Sequence, residues 1–443
     1  MKGKMTGNAI LQPTRRDFLA LGAGASAAAL LSHNNAWAQE SVLRVMGADT
    51  DEVDIAWYKQ ANADFEADHP GTRVQYDYVN SASSFQKITT LLAANDVPDV
   101  FGGQGIAAVS SFWNVGVLEP LNDVVDALGK DDFFPSTLDL YTVDGKVMGV
   151  PVERTSFVLW YRKDLAEREN VKPPVTWDDY LAYAKATTRD GMYGVAIPCG
   201  MNPASGLRLF EFFRQNNGNI VDEDLVPAVD SQANHETLEF IRELYQYSPP
   251  GSPGYGYGEM LSAYITGAVA SSIYSGRMLQ RASSRNPEIA PFIGAVGLPY
   301  KAKPFGFADV RGAFVFAGAR NKEAAKDWIL KYRAGGKRHI DWLLTAPGNN
   351  LPVRQSAASD PLFADFPMIK EHPDIFATLY NAADIGGNLY KESANHKPNP
   401  KAGALSEGPL LPTMLQRFLV NGEKASDVLA WGQSQVKDMM ADI

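Results

Sequence analysis

The spacing of apolar positions along this chain switches repeatedly between a period of two and a helical period. Val42-Leu43-Arg44-Val45-Met46 predicts a short buried strand. Helical spacing follows over 57–68, with Ile55, Tyr58, Ala61 and Phe65 on one face, and His69-Pro70-Gly71 stops it. The alternation Val74-Gln75-Tyr76-Asp77-Tyr78-Val79 predicts a second strand. A helix over 85–94 turns Ile88, Leu91 and Leu92 inward. Pro98-Asp99-Val100-Phe101 then reads as a strand running into Gly102-Gly103, and 106–114 as a helix. Alternating strands and helices predict an α/β fold, with a mostly parallel sheet flanked by helices.

In such sheets ligands lie beyond the carboxyl ends of the strands. That places Asp49, after the first strand, and Gln104, after the third, to meet a ligand. Asp49 fits equally well as a helix N-cap. Gly102-Gly103 suits a turn, or a close approach of backbone amides to a ligand.

A second unit begins near Pro151. Phe157-Val158-Leu159-Trp160-Tyr161 is a dense apolar strand, and Thr176 with Asp179 forms a capping-box pattern. Strands are predicted at 193–197, 268–274, 294–299 and 313–317. Helices are predicted at 207–215, 260–266, 322–332, 412–418 and 425–440. Between them, 248–258 (SPPGSPGYGYG) reads as a loop carrying Tyr255 and Tyr257.

The first residues change the picture from fold to destination. Thr14-Arg15-Arg16-Asp17-Phe18-Leu19 opens a weakly apolar run over 18–31, and Ala36-Trp37-Ala38 closes it. That is the layout of a signal peptide over 1–38, of twin-arginine type, cleaved near Ala38. It predicts export of a folded chain to the periplasm. The run is too short for a membrane span of ~20 residues. The whole chain carries 41 Lys and Arg against 51 Asp and Glu, a formal net charge of −10. Losing Lys2, Lys4, Arg15 and Arg16 with the leader makes it more acidic, which argues against nucleic acid and anionic membrane as partners. Cys199 is the single cysteine, so no internal disulfide forms. Beyond the leader the histidines are scattered without metal-site spacing and read as surface or helix-end residues. No cofactor motif is visible.

A series of ordered segments then becomes informative. It runs from Phe65 through Pro70-Gly71 to Val74, then Val97-Pro98-Asp99-Val100 and Gly116-Val117-Leu118-Glu119-Pro120-Leu121. Asp144-Gly145-Lys146-Val147-Met148-Gly149-Val150-Pro151 comes next, followed by Leu159-Trp160-Tyr161-Arg162-Lys163-Asp164-Leu165 and Pro174-Val175-Thr176-Trp177. Leu298-Pro299, Asn321-Lys322-Glu323-Ala324-Ala325 and Leu351-Pro352-Val353-Arg354 complete it. In this order and spacing the chain resembles the extracellular solute-binding proteins of ATP-binding-cassette (ABC) importers, in their carbohydrate-binding branch.

The resemblance implies a two-lobed periplasmic-binding-protein fold with a ligand cleft between the lobes. One lobe would comprise 40–151 with 303–350, the other 152–302 with 351–443. Chain crossings would lie near 151–156, 299–304 and 350–354. It also implies a small-molecule ligand, carbohydrate in kind, an ABC permease as membrane partner, and a monomer that shuttles between them.

Carried over residue by residue, the resemblance points to Asp49, Gly103 and Gln104, and to Glu153 and Arg154 at the first crossing. It adds Ser205 in the loop after the 193–197 strand, Tyr274, Gly276 and Arg277 where relatives carry a stacking tryptophan, and Arg311. Arg154, Arg277 and Arg311 suggest an acidic or densely hydroxylated ligand. They fit as well as partners of Glu153 or Asp309 that hold the cleft's shape. Two other functions compete. The same fold would serve a polyol, organic anion or polyamine. An exported carbohydrate-active enzyme would need two carboxylates ~5–10 Å apart.

Overall fold

The computed structural model describes residues 41–48, 51–79, 81–189, 191–391, 396–441 and 443. The leader and Asp49 lie outside the described residues. Strand β1 (Ser41–Gly47) is followed by helix α1 (Glu52–Asp68), β2 (Thr72–Tyr78), α2 (Ser81–Ala93), β3 (Val100–Gly105) and α3 (Ile106–Asn114). The 13-residue strand β4 (Val150–Arg162) comes next. After it run α4 (Trp177–Thr187), α5 (Pro203–Gln215), α6 (Tyr257–Ile265), β5 (Ser271–Ser275), α7 (Arg277–Arg285), β6 (Ile293–Val296) and β7 (Ala308–Val315). The helices that complete the two halves include α8 (Lys322–Trp328), α9 (Gly336–Leu343), α10 (Pro373–Ile385), α11 (Ala402–Glu407), α12 (Leu410–Leu415) and α13 (Ala425–Met440).

The fold is α/β, as the alternation predicts, but its sheet is mixed rather than mostly parallel. β1 pairs in parallel with β2 and with β3. β7 is antiparallel to both β3 and β4, and β5 and β6 are antiparallel to β4. Parallel pairs need long crossover connections. The 52–71 and 79–99 segments supply them, and later strands return from the opposite side.

β4 joins the two halves. At the ~3.3 Å rise of a strand it spans roughly 40 Å. Val150 to Ser156 pair with β7, and Phe157 to Arg162 pair with β5 and β6. Every residue but the last is buried. Most of them are apolar, as burial on both faces demands. Glu153, Arg154, Thr155 and Ser156 break that run at its middle, and buried polar groups there need partners. Three chain segments meet at this point. Arg154 N–H donates to Leu351 O at 2.8 Å, and Phe157 N–H donates to Phe307 O at 3.0 Å.

Several elements differ from the sequence expectation for physical reasons. The 193–197 segment makes only isolated bridges, Tyr193 to Val269 and Ala196 to Ser272. Its Gly194 lies against the backbone of Ala184, and its amides turn to side chains: Gly194 N–H to Thr188 Oγ1 and Ile197 N–H to Ser248 Oγ. α5 starts earlier than 207 because Asn202 caps it with Pro203 at its first position. Ser205 is therefore inside a helix and not in a loop. Likewise Tyr257 opens α6 rather than lying in a loop, with Glu259 bonding back to the Gly256 amide. The Thr176 capping box forms with Asp179 as read. His339, expected at a surface or helix end, is fully buried, its Nε2 2.8 Å from Val152 O. Burial holds it well below the usual imidazole range, at about 3.

Candidate functional site

The two halves face each other across the middle of β4, and the helix that follows β1 opens toward the helix that follows β5. Asp51, at the N-cap position of α1, and Asp54 in its first turn meet Arg277 and Arg281 of α7. Arg277 bonds Asp51 and reaches Asp54 at 3.3 Å, while Arg281 meets Asp51 at 2.8 Å. Carboxylates are favoured at a helix start, and these two carry that preference into an ion-pair bridge between the halves. Tyr274, just before α7, is buried, and its carbonyl accepts from Trp160 Nε1 at 3.0 Å. Gly276 has a packing role: a Cβ there would stand 1.9 Å from Gly348 O.

On the other side β3 bulges between Gly102 and Gln104, with Gly103 at φ 76°. The bulge turns the Gly103 carbonyl toward Arg311, whose Nε donates to it at 2.8 Å. Gln104 is buried and donates to Ser84 Oγ at 2.6 Å. Arg311 also holds Glu153 at 2.9 Å. The second Glu153 oxygen is taken by Arg333 at 3.4 Å and by the Trp342 indole N–H. Arg154 donates to Pro352 O at 3.1 Å and to Asp384 at 2.7 Å, with its guanidinium 4.6 Å from the Phe134 ring centre. Each of the three arginines singled out in the sequence therefore faces a carboxylate of the protein itself.

Asp309 is the second residue of β7. Its Oδ1 accepts from Ile106 N–H at 3.3 Å and from Asn388 Nδ2 at 3.2 Å. Burial pushes it up to about 7 despite those bonds. Glu407, at the end of α11, is likewise pushed up by burial to about 7, and its charge acts on both Asp309 and Tyr257.

The other half contributes an aromatic group. The ring centre of Phe157 is 6.0 Å from that of Tyr257 and 6.4 Å from that of Tyr274. Arg208 of α5 lies over Phe157 at 4.4 Å, with Glu211 beside it. The sequence reading passed over Arg208 and Glu211. Their signal was available: PASGLRLFEFFRQ surrounds both charges with apolar residues, so burying the helix buries them too. Asp51 and Asp54 were missed because only the fold brings them to Arg277.

Among the described residues no group of three or more His, Cys, Asp or Glu side chains is placed to hold a metal ion. No described helix is long and apolar enough to cross a membrane.

Comparison with known proteins agrees with this two-sided architecture. YcjN of Escherichia coli (strain K12), a proposed ABC transporter periplasmic-binding protein, is 23% identical over 320 residues, covering 70% of this chain and 72% of its own. An arabinooligosaccharide-binding protein of Halalkalibacterium halodurans is 28% identical over 278 residues, covering 58% of this chain and 59% of its own. Among solved structures, an ABC transporter solute-binding protein from Agrobacterium radiobacter K84, in complex with ribitol, superimposes with a TM-score of 0.77 at 20% identity. That match covers 90% of this chain and 99% of the other, and it shows a shared two-lobed fold. The family model for bacterial extracellular solute-binding proteins matches residues 47–350, well over half of the chain. This protein belongs to the bacterial extracellular solute-binding proteins.

Proposed function

We propose that this protein is the substrate-binding component of an ABC importer, which captures a sugar or polyol between its lobes and hands it to a membrane permease. The observation that carries this reading is the meeting of polar side chains and aromatic rings from both halves across the middle of β4. A hydroxyl-rich solute needs both kinds of contact. The arabinooligosaccharide-binding relative and the ribitol-bound structure support the same ligand class.

The lobes divide as 40–151 with 303–350 and 152–302 with 351–443, and they close on the ligand as a hinge. Gly103, Gln104, Ser205, Tyr274 and Arg277 line the ligand side. Glu153, Arg154, Gly276 and Arg311 hold its walls. The ligand is neutral, because Arg154, Arg277 and Arg311 are already matched by Asp384, Asp51 and Glu153. The protein binds and does not transform its solute. The 1–38 leader exports it folded to the periplasm, where it works as a monomer.

A thermal-shift screen of the chain from Gln39 onward tests the reading. At 100 times its dissociation constant a ligand stabilises by about 2.7 kcal/mol. Neutral sugars or polyols should raise the melting temperature, and a uronate should not. A shift with the uronate alone, or release of product from a glycoside, would sink it.

A further inference from the structure

Helix α5 carries polar side chains of two different kinds. At its C-terminal end Gln215 is fully engaged. Its Oε1 accepts from Trp177 Nε1 at 3.1 Å, and its Nε2 donates to Phe305 O at 3.2 Å. That end is structural.

Nearer the N-terminus the pattern reverses. Ser205, Arg208 and Glu211 follow one another at three-residue spacing, so they share one stripe of the helix. Ser205 and Glu211 are 0% exposed and Arg208 is 1% exposed. Among the described residues, Ser205 Oγ, all three guanidinium nitrogens of Arg208 and Glu211 Oε2 have no hydrogen-bond partner. Arg208 Nε does approach Glu211 Oε2 at 2.9 Å, but off the hydrogen-bond axis. One Glu211 oxygen, Oε1, is used, accepting from Phe307 N–H at 2.9 Å. Polar groups buried this deeply are nearly always paired. A stripe whose charges meet only in one misaligned ion pair, and which keeps this many hydrogen-bonding positions unused, is therefore out of place in a structural core. The aromatic group of Phe157 and Tyr257 adjoins it, with Arg208 lying over Phe157.

We infer that the Ser205–Arg208–Glu211 stripe is a recognition site for adjacent hydroxyls of a neutral, polyhydroxylated solute. The inference rests on the proposed sugar or polyol function and assigns part of it to α5. A hydroxyl donates and accepts at once, so a pair of neighbouring hydroxyls answers the guanidinium and the carboxylate together. An anionic ligand would satisfy Arg208 but face Glu211. A cationic ligand would do the reverse. Neighbouring rings offer apolar area to the C–H face of the same molecule.

Titration calorimetry of the chain from Gln39 onward tests this, with ribitol, D-mannitol, D-tagatose and L-arabinose as neutral probes. D-glucuronate and spermidine serve as charged probes. We expect at least one neutral probe to bind and neither charged probe to do so. Arg208→Lys and Glu211→Gln should each weaken that binding at least tenfold, and Ser205→Ala severalfold, with a cooperative melt retained. Should a single variant fail to fold, the charge-free double variant Arg208→Met/Glu211→Gln is measured in its place, with the same expected loss. Unchanged affinity in the folded double variant overturns the role of α5 and leaves the proposed function standing. Failure of every neutral probe on the unaltered chain overturns both. Glucuronate binding that Arg208→Lys abolishes overturns the neutral class.

Discussion

Glu153 and Glu211 are both fully buried, and both stand beside arginine. Glu153 lies on β4 with both carboxylate oxygens hydrogen-bonded. Arg311 takes one oxygen, and Arg333 and the Trp342 indole take the other. Arg333 itself lies 3.9 Å from the Trp342 ring centre. Glu211 lies on α5 with one oxygen hydrogen-bonded and the other only in a misaligned 2.9 Å ion-pair contact with Arg208. Burial and charge are the same in the two places; what differs is the carboxylate, hydrogen-bonded at both oxygens in Glu153 and at one in Glu211. A closed network fixes the geometry around it, whereas an open one keeps bonding capacity for something else. Near Glu153 the structure is building a wall. Near Glu211 it is keeping a face.

The largest effect that sharpens this contrast should come from Glu153→Ala. Removing the shared carboxylate takes away the negative charge that Arg311 and the buried Arg333 both face, a loss of about 3–5 kcal/mol. Urea unfolding measures it, and a loss under about 1 kcal/mol would mean that Glu153 holds nothing. By contrast, Glu211→Gln should cost little or even stabilise the protein in the absence of ligand.

That second expectation has a pH signature. Burial raises the Glu211 carboxyl to about 7, above its ordinary value, even with Arg208 beside it. The folded state therefore holds this proton more tightly than the unfolded chain does. Stability linked to it is present at low pH and is lost as pH rises from about 4.3 through about 7. Melting curves of the unaltered protein and Glu211→Gln should converge near pH 5, with the variant ahead near pH 8. A gap of constant size across that range would break the comparison.

A smaller effect is expected at the bridge between the halves. Arg277→Ala removes contacts to Asp51 and Asp54. The Asp51 side chain is partly exposed, so solvent screens its contact, while the buried Asp54 makes only the longer 3.3 Å contact, and the loss should be about 1–2 kcal/mol. It should shrink further at 1 M salt. Unfolding titrations at low and high salt check this, and a salt-independent loss of several kcal/mol would place the bridge among the closed networks.

Much of the fold was legible along the chain. The first three strands with their helices, the dense strand at 157–161, the Thr176 cap and the last helix all follow from local periodicity and capping chemistry. The 193–197 strand failed because alternation shows where a strand can form but not whether a neighbour is free to pair. Ser205 and Tyr257 were placed in loops because Asn202-Pro203 and Gly256 with Glu259 are helix starts that apolar periodicity alone does not mark. At the site, the pairing of Arg311 with Glu153 was among the readings the sequence allowed, but the remaining partners were not. Arg333, Asp384 and Trp342 lie far from Glu153 and Arg154 in sequence, and nothing local announces those pairs.

The sequence by itself determined the α/β alternation, the acidic surface and the ordered segments that mark the family. These depend on residues a few positions apart or on sums over the chain. The tertiary structure alone decided the mixed sheet, the closed network around Glu153, the bridge from Arg277 to Asp51, and the open stripe on α5. Each of those depends on which buried polar atoms find partners. That is settled by chain segments tens to hundreds of residues apart coming together over the middle of one strand.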